Sequence, residues 1–148
     1  MDSHELTTLD TGLRVVTERI ETVRSVAVGY FVGVGSRNEL NNESGYAHLL
    51  EHMLFRGNER LPSAQIDELF DSMGAEINAG TDRESTSLYA RMLDRHLPRA
   101  LDAMNEMIWR PGLVDLSAER QVVLEEIAMY EDEPQEIVFD LAAQAVFG

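Results

Sequence analysis

Two histidines four residues apart with a glutamate between them, His48-Leu49-Leu50-Glu51-His52, carry the strongest chemical signal in this sequence of 148 residues. On a helix that advances about 100° per residue, His52 lies roughly 40° round from His48 and Glu51 roughly 60° to the other side. All three therefore share one arc. Their neighbours Tyr46, Ala47, Leu49, Leu50, Met53, Leu54 and Phe55 are apolar almost all round, the pattern of a buried helix. Burying two imidazoles and a carboxylate together is costly unless something compensates them. A pair of core histidines hydrogen-bonded to Glu51 is the plain alternative. A divalent metal compensates them more directly, because histidines at i and i+4 can both aim a ring nitrogen at one ion.

A tetrahedral catalytic zinc takes three protein ligands and leaves its fourth position to water. The other histidines are poor third ligands: His4 is expected in a flexible tail, and His96 near a helix start at the surface. A carboxylate is the better candidate, and the helix expected over 117–131 offers Glu119, Glu125 and Glu126. Its apolar face, summed over Val122, Val123, Leu124, Ile127, Met129 and Tyr130, centres between Val123 and Glu119. Glu126 falls roughly 40° from that centre, Glu119 roughly 20°, and Glu125 roughly 140° away, toward solvent. Helical phase excludes Glu125 and leaves Glu119 and Glu126 open.

The elements that must position these groups follow from local pattern. Leu6 to Leu9 reads as a short strand, Asp10-Thr11-Gly12 as a turn, and the β-branched Leu13 to Ile20 as its hairpin partner. Val26 to Val34 is apolar enough for a central strand covered on both faces. A polar loop, Gly35 to Ser44, leads into the histidine helix from about Gly45 to Arg56. Ser63 is a suitable N-cap for a second helix that Gly74 closes. Strands over Glu76 to Thr81 and Ser85 to Met92 flank the Asp82-Arg83 turn. Helices then run from about Arg95 to Trp109, from Ser117 to Glu131, and from Pro134 to Phe147. The order is β-β-β-α-α-β-β-α-α-α, an α+β fold with a mostly antiparallel mixed sheet and helices packed on it.

Composition excludes several functions. Asp and Glu number 27 against 12 Lys and Arg, a formal charge of −15. That disfavours nucleic acid, whose binding releases counterions to basic groups, and it disfavours an anionic membrane surface. Cysteine is absent, which removes disulfides, thiolate metal sites and Cys nucleophiles. No apolar run approaches a transmembrane span. Met1-Asp2-Ser3-His4-Glu5 lacks the basic start and apolar stretch of a leader, so a cytoplasmic chain, or one whose targeting piece is missing, is expected.

The segment Gly45-Tyr46-Ala47-His48-Leu49-Leu50-Glu51-His52-Met53-Leu54-Phe55-Arg56-Gly57 resembles the zinc-binding segment of the pitrilysin/insulinase family of inverted-motif peptidases, which includes mitochondrial processing peptidase. The resemblance continues through Asn78-Ala79-Gly80-Thr81-Asp82-Arg83-Glu84-Ser85-Thr86 and Glu119-Arg120-Gln121-Val122-Val123-Leu124-Glu125-Glu126-Ile127. It implies that Glu126 is the third zinc ligand, a choice consistent with helical phase, and that Glu119 takes the family's supporting acidic position behind the ligands. It further implies a zinc endopeptidase acting on unfolded peptides, with Glu51 as general base toward a zinc-activated water. Substrate would lie extended beside a strand in which Asn78 and Ala79 match the substrate-contacting positions.

Members of that family carry two related halves, in one chain or as paired subunits. Residues 1–148 are thus expected to be the N-terminal part of the zinc-binding catalytic domain. The last segment stays apolar up to Gly148, which reads as an incomplete domain. A second homologous half or subunit would supply an Arg/Tyr pair, and an oligomer is expected. The competing reading is a non-catalytic binding or assembly subunit of the same family, against which the complete His48/Glu51/His52/Glu126 set argues.

Overall fold

The computed structural model describes residues 4–147. Met1 to Ser3 and Gly148, on which the expectations about a leader and an incomplete end partly rest, lie outside the described residues. Strand β1 (His4–Thr8) pairs antiparallel with β2 (Arg14–Glu18), His4 opposite Glu18. His4 is therefore the first residue of a strand and not part of a loose tail. The hairpin forms a small sheet of its own.

A second sheet has the order β3-β5-β4, from β3 (Ser25–Val32), β4 (Glu76–Thr81) and β5 (Thr86–Leu93), all antiparallel. Strand β5 sits at its centre. The expectation of a central, doubly covered β3 is corrected: among the described residues β3 is an edge strand. Its alternate residues Val26, Val28 and Tyr30 pack on the core, while Phe31 on the other face is exposed. The apolar run misled because Ala27 and Gly29 lengthen it without needing cover.

One face of this sheet makes the core. Register aligns Tyr30 and Ala79 with Leu88, and Val28 and Ile77 with Ala90, so these side chains share a face. Two helices close over it. Helix α2 (Ser63–Ser72) contributes Ile66 and Phe70, and α3 (Leu97–Trp109) contributes Ala100, Ala103, Met104 and Met107 at helical spacing. Fully burying an Ile, Phe or Met side chain stabilises by about 1.5–3 kcal/mol, and an Ala methyl by less.

Helix ends differ from the expected caps. Pro62, extended at φ −61 and ψ 152, precedes α2, and Ser63 is its first residue with no side-chain cap. Gly74 closes it in the left-handed region as expected. A short 3-10 turn, Asp94–His96, occupies the start assigned to α3, because Pro98 suits the first turn of the α-helix that follows. Helix α4 (Leu116–Glu131) begins one residue before Ser117, after Asp115 at φ 56, and α5 (Pro134–Phe147) follows.

Helix α1 (Tyr46–Leu54) carries the histidines. It is not buried all round: Met53 and Leu54 are buried, but Tyr46 is 62% exposed and Leu50 49%. Beyond its end, Gly57 adopts φ +69, and a Cβ there would stand 2.3 Å from the Leu61 carbonyl oxygen. Only glycine fits both demands. The Gly57 carbonyl also accepts the Gly112 amide at 2.8 Å, tying the exit of α1 to the segment after α3.

Candidate metal centre

Helix α1 starts without a conventional cap. Gly45 stands at φ 91 and has no side chain to receive the first amides. Glu39, six residues upstream, does so instead: Oε2 accepts from the Gly45 amide at 2.8 Å and Oε1 from the Ala47 amide at 2.6 Å. A carboxylate here satisfies orphan donors and complements the positive end of the helix dipole.

On this helix His48 and His52 turn toward α4. Their Nε2 atoms lie 3.2 Å apart, with rings nearly perpendicular at 79°. Glu126 Oε2 approaches His52 Nε2 at 3.2 Å and His48 Nε2 at 3.5 Å. The other nitrogen of His52, Nδ1, stands 2.9 Å from Glu119 Oε1. An ionised carboxylate only accepts, so Nδ1–H donates to it, and Nε2 presents a lone pair to His48 and Glu126. With His48 protonated at Nδ1, three lone-pair atoms would face one another, and a cation among them relieves that repulsion. Ligand bonds of about 2.0–2.1 Å around a tetrahedral zinc imply ligand–ligand edges of about 3.3–3.4 Å. The three observed separations, 3.2, 3.2 and 3.5 Å, match those edges. His48, His52 and Glu126 thus form a group that can hold a metal ion.

Of the two glutamates that phase left open, Glu119 lies on the buried line as phase implied, and Glu126 is more exposed than phase implied. Glu119 is 4% exposed, whereas the Glu126 side chain is 46% exposed and faces the histidines from the rim. Glu125 is exposed as expected. Of the apolar residues used to find the buried face, only Val123 is buried. Val122, Leu124, Ile127, Met129 and Tyr130 are exposed, so the helix buries a narrow stripe along Glu119 and Val123. Glu119 Oε1 meets His52, and Oε2 forms an ion pair with Arg56 but is buried with no hydrogen bond of ordinary geometry.

Glu51 lies one turn of α1 back from Phe55, and its Oε2 accepts from the Thr81 hydroxyl at 2.5 Å. Thr81 closes β4 and so fixes Glu51 from the sheet side. Glu51, His52, Phe55, Arg56, Ser63, Asp67, Asn78 and Glu119 line one open cleft of about 410 Å³. Asn78 therefore stands in the same cleft as Glu51 and His52. Ala79 does not line it; its side chain packs on the core, and its amide donates to Asn78 Oδ1 at 2.9 Å. The remaining histidines lie apart, His4 on β1 and His96 in the 3-10 turn, where it meets Arg95 Nε at 3.1 Å.

Sequence reasoning passed over three residues here. Thr81 and Arg56 stand inside the quoted motifs, where a hydroxyl or guanidinium close to buried carboxylates was an available signal. Glu39 had none, since capping from six residues away depends on the path of the intervening loop.

A sequence model described as insulinase (peptidase family M16) matches residues 14–148. The chain is 43% identical over 143 residues to YmxG of Bacillus subtilis, named an uncharacterized zinc protease, covering 95% of this chain and 35% of that protein. It is 36% identical over 137 residues to a probable mitochondrial-processing peptidase subunit beta of Arabidopsis thaliana, covering 91% of this chain and 26% of that one. Among solved structures, a protease from Helicobacter pylori superposes with a TM-score of 0.86 at 31% identity, over 92% of this chain and 34% of that chain. The periplasmic protease PqqL from Escherichia coli superposes at 0.84 with 25% identity, over 95% and 16%. The chain thus spans about a third or less of the length of these relatives. With the histidine motif, the α+β architecture and these matches in agreement, the chain belongs to the insulinase family, peptidase family M16.

Proposed function

We propose that this chain is the zinc-holding part of an endopeptidase that hydrolyses peptide bonds of unfolded peptides. His48, His52 and Glu126 would hold one zinc ion, and Glu51 acts as general base. The single observation that carries this reading is the set of ligand separations, 3.2 to 3.5 Å, beside a glutamate held by Thr81. The zinc protease names of several relatives support it.

When bound, zinc supplies Lewis acidity toward a carbonyl and a water. The chain's own groups do the rest. Thr81 occupies Glu51 Oε2, which leaves Oε1 to take a proton from the attacking water and return it to the leaving amine nitrogen. His52 is oriented by Glu119 behind it, which keeps Nε2 free of a proton. Strand β4 is an edge of its sheet among the described residues, so an extended peptide can add beside it, with Asn78 in the cleft to meet that peptide.

The reading extends to partners. Residues 1–148 would be the N-terminal part of the catalytic domain, and a second homologous half or subunit would complete the site and supply the Arg/Tyr pair that holds substrate. The share of its relatives that this chain spans supports that view. By itself the chain is expected to turn substrate over slowly, since losing one oxyanion donor costs about 10²–10³ in rate.

The test is turnover of an unstructured, quenched fluorescent peptide by the protein and by Glu51→Gln, each with and without a chelator. Activity that is lost with chelator, restored by zinc and absent in the variant supports the reading. Zinc bound at one per chain with no turnover, even after a second half is supplied, would point to a binding or assembly subunit.

A further inference from the structure

Arg56 stands two residues past the end of α1, and its guanidinium reaches Glu119 on α4, the carboxylate whose other oxygen receives His52. Glu119 is 4% exposed, and a carboxylate so buried destabilises the fold unless it is paired. His52, when neutral, donates a hydrogen bond but no charge. Arg56 is the cation at this carboxylate, and its side chain, 42% exposed, keeps its remaining donors in water.

We propose that Arg56 is a positioning residue: it pins the Glu119 carboxylate so that Oε1 faces His52, and thereby fixes His52 with Nδ1 protonated and Nε2 bare. An acceptor carboxylate gripped on one oxygen cannot turn to water, so its other oxygen stays aimed at the imidazole. The contact is an ion pair, with no hydrogen bond of ordinary geometry at Oε2, and a more compact, more strongly hydrated ammonium would hold the carboxylate less well. The bland alternative is a cation at a helix C-terminus, where Arg or Lys complements the dipole with no regard to Glu119. The consequence for zinc affinity rests on the ligand reading above; the effect on the His52 tautomer does not.

The test has a metal-free arm and a zinc arm. In metal-free protein labelled with ¹⁵N-histidine, long-range ¹H–¹⁵N spectra should report protonated Nδ1 at His52 in the wild type. In Arg56→Gln the tautomer protonated at Nε2 should gain population, and Arg56→Lys should lie between the two. An unchanged His52 tautomer in Arg56→Gln overturns the proposal. In the zinc arm, competition with a chromophoric chelator should give about 10–100-fold weaker affinity for Arg56→Gln and for Glu119→Gln, the range for partners that orient a ligand. The double variant should bind no more weakly than Glu119→Gln alone, because Arg56 acts through that carboxylate. Additive losses would mean that Arg56 works by another route. Should Arg56→Gln not fold, the double variant, which leaves no buried charge unpaired, carries the same comparison. A wild type that shows the expected tautomer but binds no zinc contradicts the ligand reading and leaves the Arg56 proposal standing.

Discussion

Helices α1 and α4 meet at the same cluster of imidazoles and carboxylates, yet they are held there by different forces. Helix α1 is anchored by apolar burial: Leu54 belongs to the core with Phe70 and Met104, Met53 is buried, and Thr81 of β4 donates to Glu51. Helix α4 buries only Glu119 and Val123, and leaves Leu124, Ile127 and Met129 exposed. Its approach to α1 runs through His52–Glu119, Arg56–Glu119 and the two histidine contacts of Glu126. One helix is a fixed platform. The other is docked on it largely by polar groups, so whatever joins those groups governs where α4 sits.

The largest effect should come from breaking the platform. Phe70→Ala should cost about 3–5 kcal/mol, the range for removing a buried aromatic ring. Met129→Ser on the exposed face of α4 should stay within about 0.5 kcal/mol. Denaturant midpoints measure both, and similar losses would erase the contrast.

Glu51→Gln should lower kcat/KM about 10²–10⁴-fold, the usual contribution of a general base. Its zinc content should stay at one per chain, because Glu51 is held by Thr81 and not by the ligand group. Loss of zinc along with activity would make Glu51 part of the metal group.

On α4 itself, Glu126→Gln should weaken zinc binding by at least about 100-fold, beyond the range for residues that only orient a ligand. Glu125→Gln should leave it within about twofold, since a solvated surface charge is worth little. Chelator competition separates the two, and equal affinities would place the third ligand elsewhere.

The smallest effect belongs to a pair remote from the site. Arg24 Nε donates to Asp94 Oδ2 at 2.7 Å, and this bond holds Asp94 below its ordinary value of 3.8. A carboxyl that is a stronger acid when folded adds stability above its unfolded value, and loses it as pH falls through the lowered one. Asp94→Asn should therefore lower the melting temperature slightly at pH 7, with the gap closing below about pH 4. Both side chains are in solvent, which keeps the effect small. A gap that widens in acid would contradict the pairing.

The sequence made the periodic parts of this molecule readable. The His48–His52 spacing fixed the shared arc, and the i, i+3, i+4 pattern of α3 and the turn before Gly74 gave elements close to those observed. Two things escaped it because they depend on tertiary path. Strand β3 looked central from its apolar run, but lies at an edge once β5 takes the middle of the sheet. The phase of α4 correctly set Glu119 on the buried line, but it overstated the burial of Glu126, because most of the apolar residues in that sum, Val122, Leu124, Ile127, Met129 and Tyr130, are themselves exposed. Thr81, Arg56 and Glu39 act across 30, 63 and 6 residues of chain respectively. Local pattern carries no record of such contacts.

Hydrogen–deuterium exchange with zinc and with chelator tests the central claim most directly, that one ion on His48, His52 and Glu126 joins a fixed α1 to a lightly held α4. Adding zinc should slow the amides of 116–131 and change those of 97–109 little, and Glu126→Gln should abolish the slowing. Zinc bound at one per chain with unchanged exchange in 116–131 would contradict the account, because the ion would then lie somewhere that does not bridge the two helices.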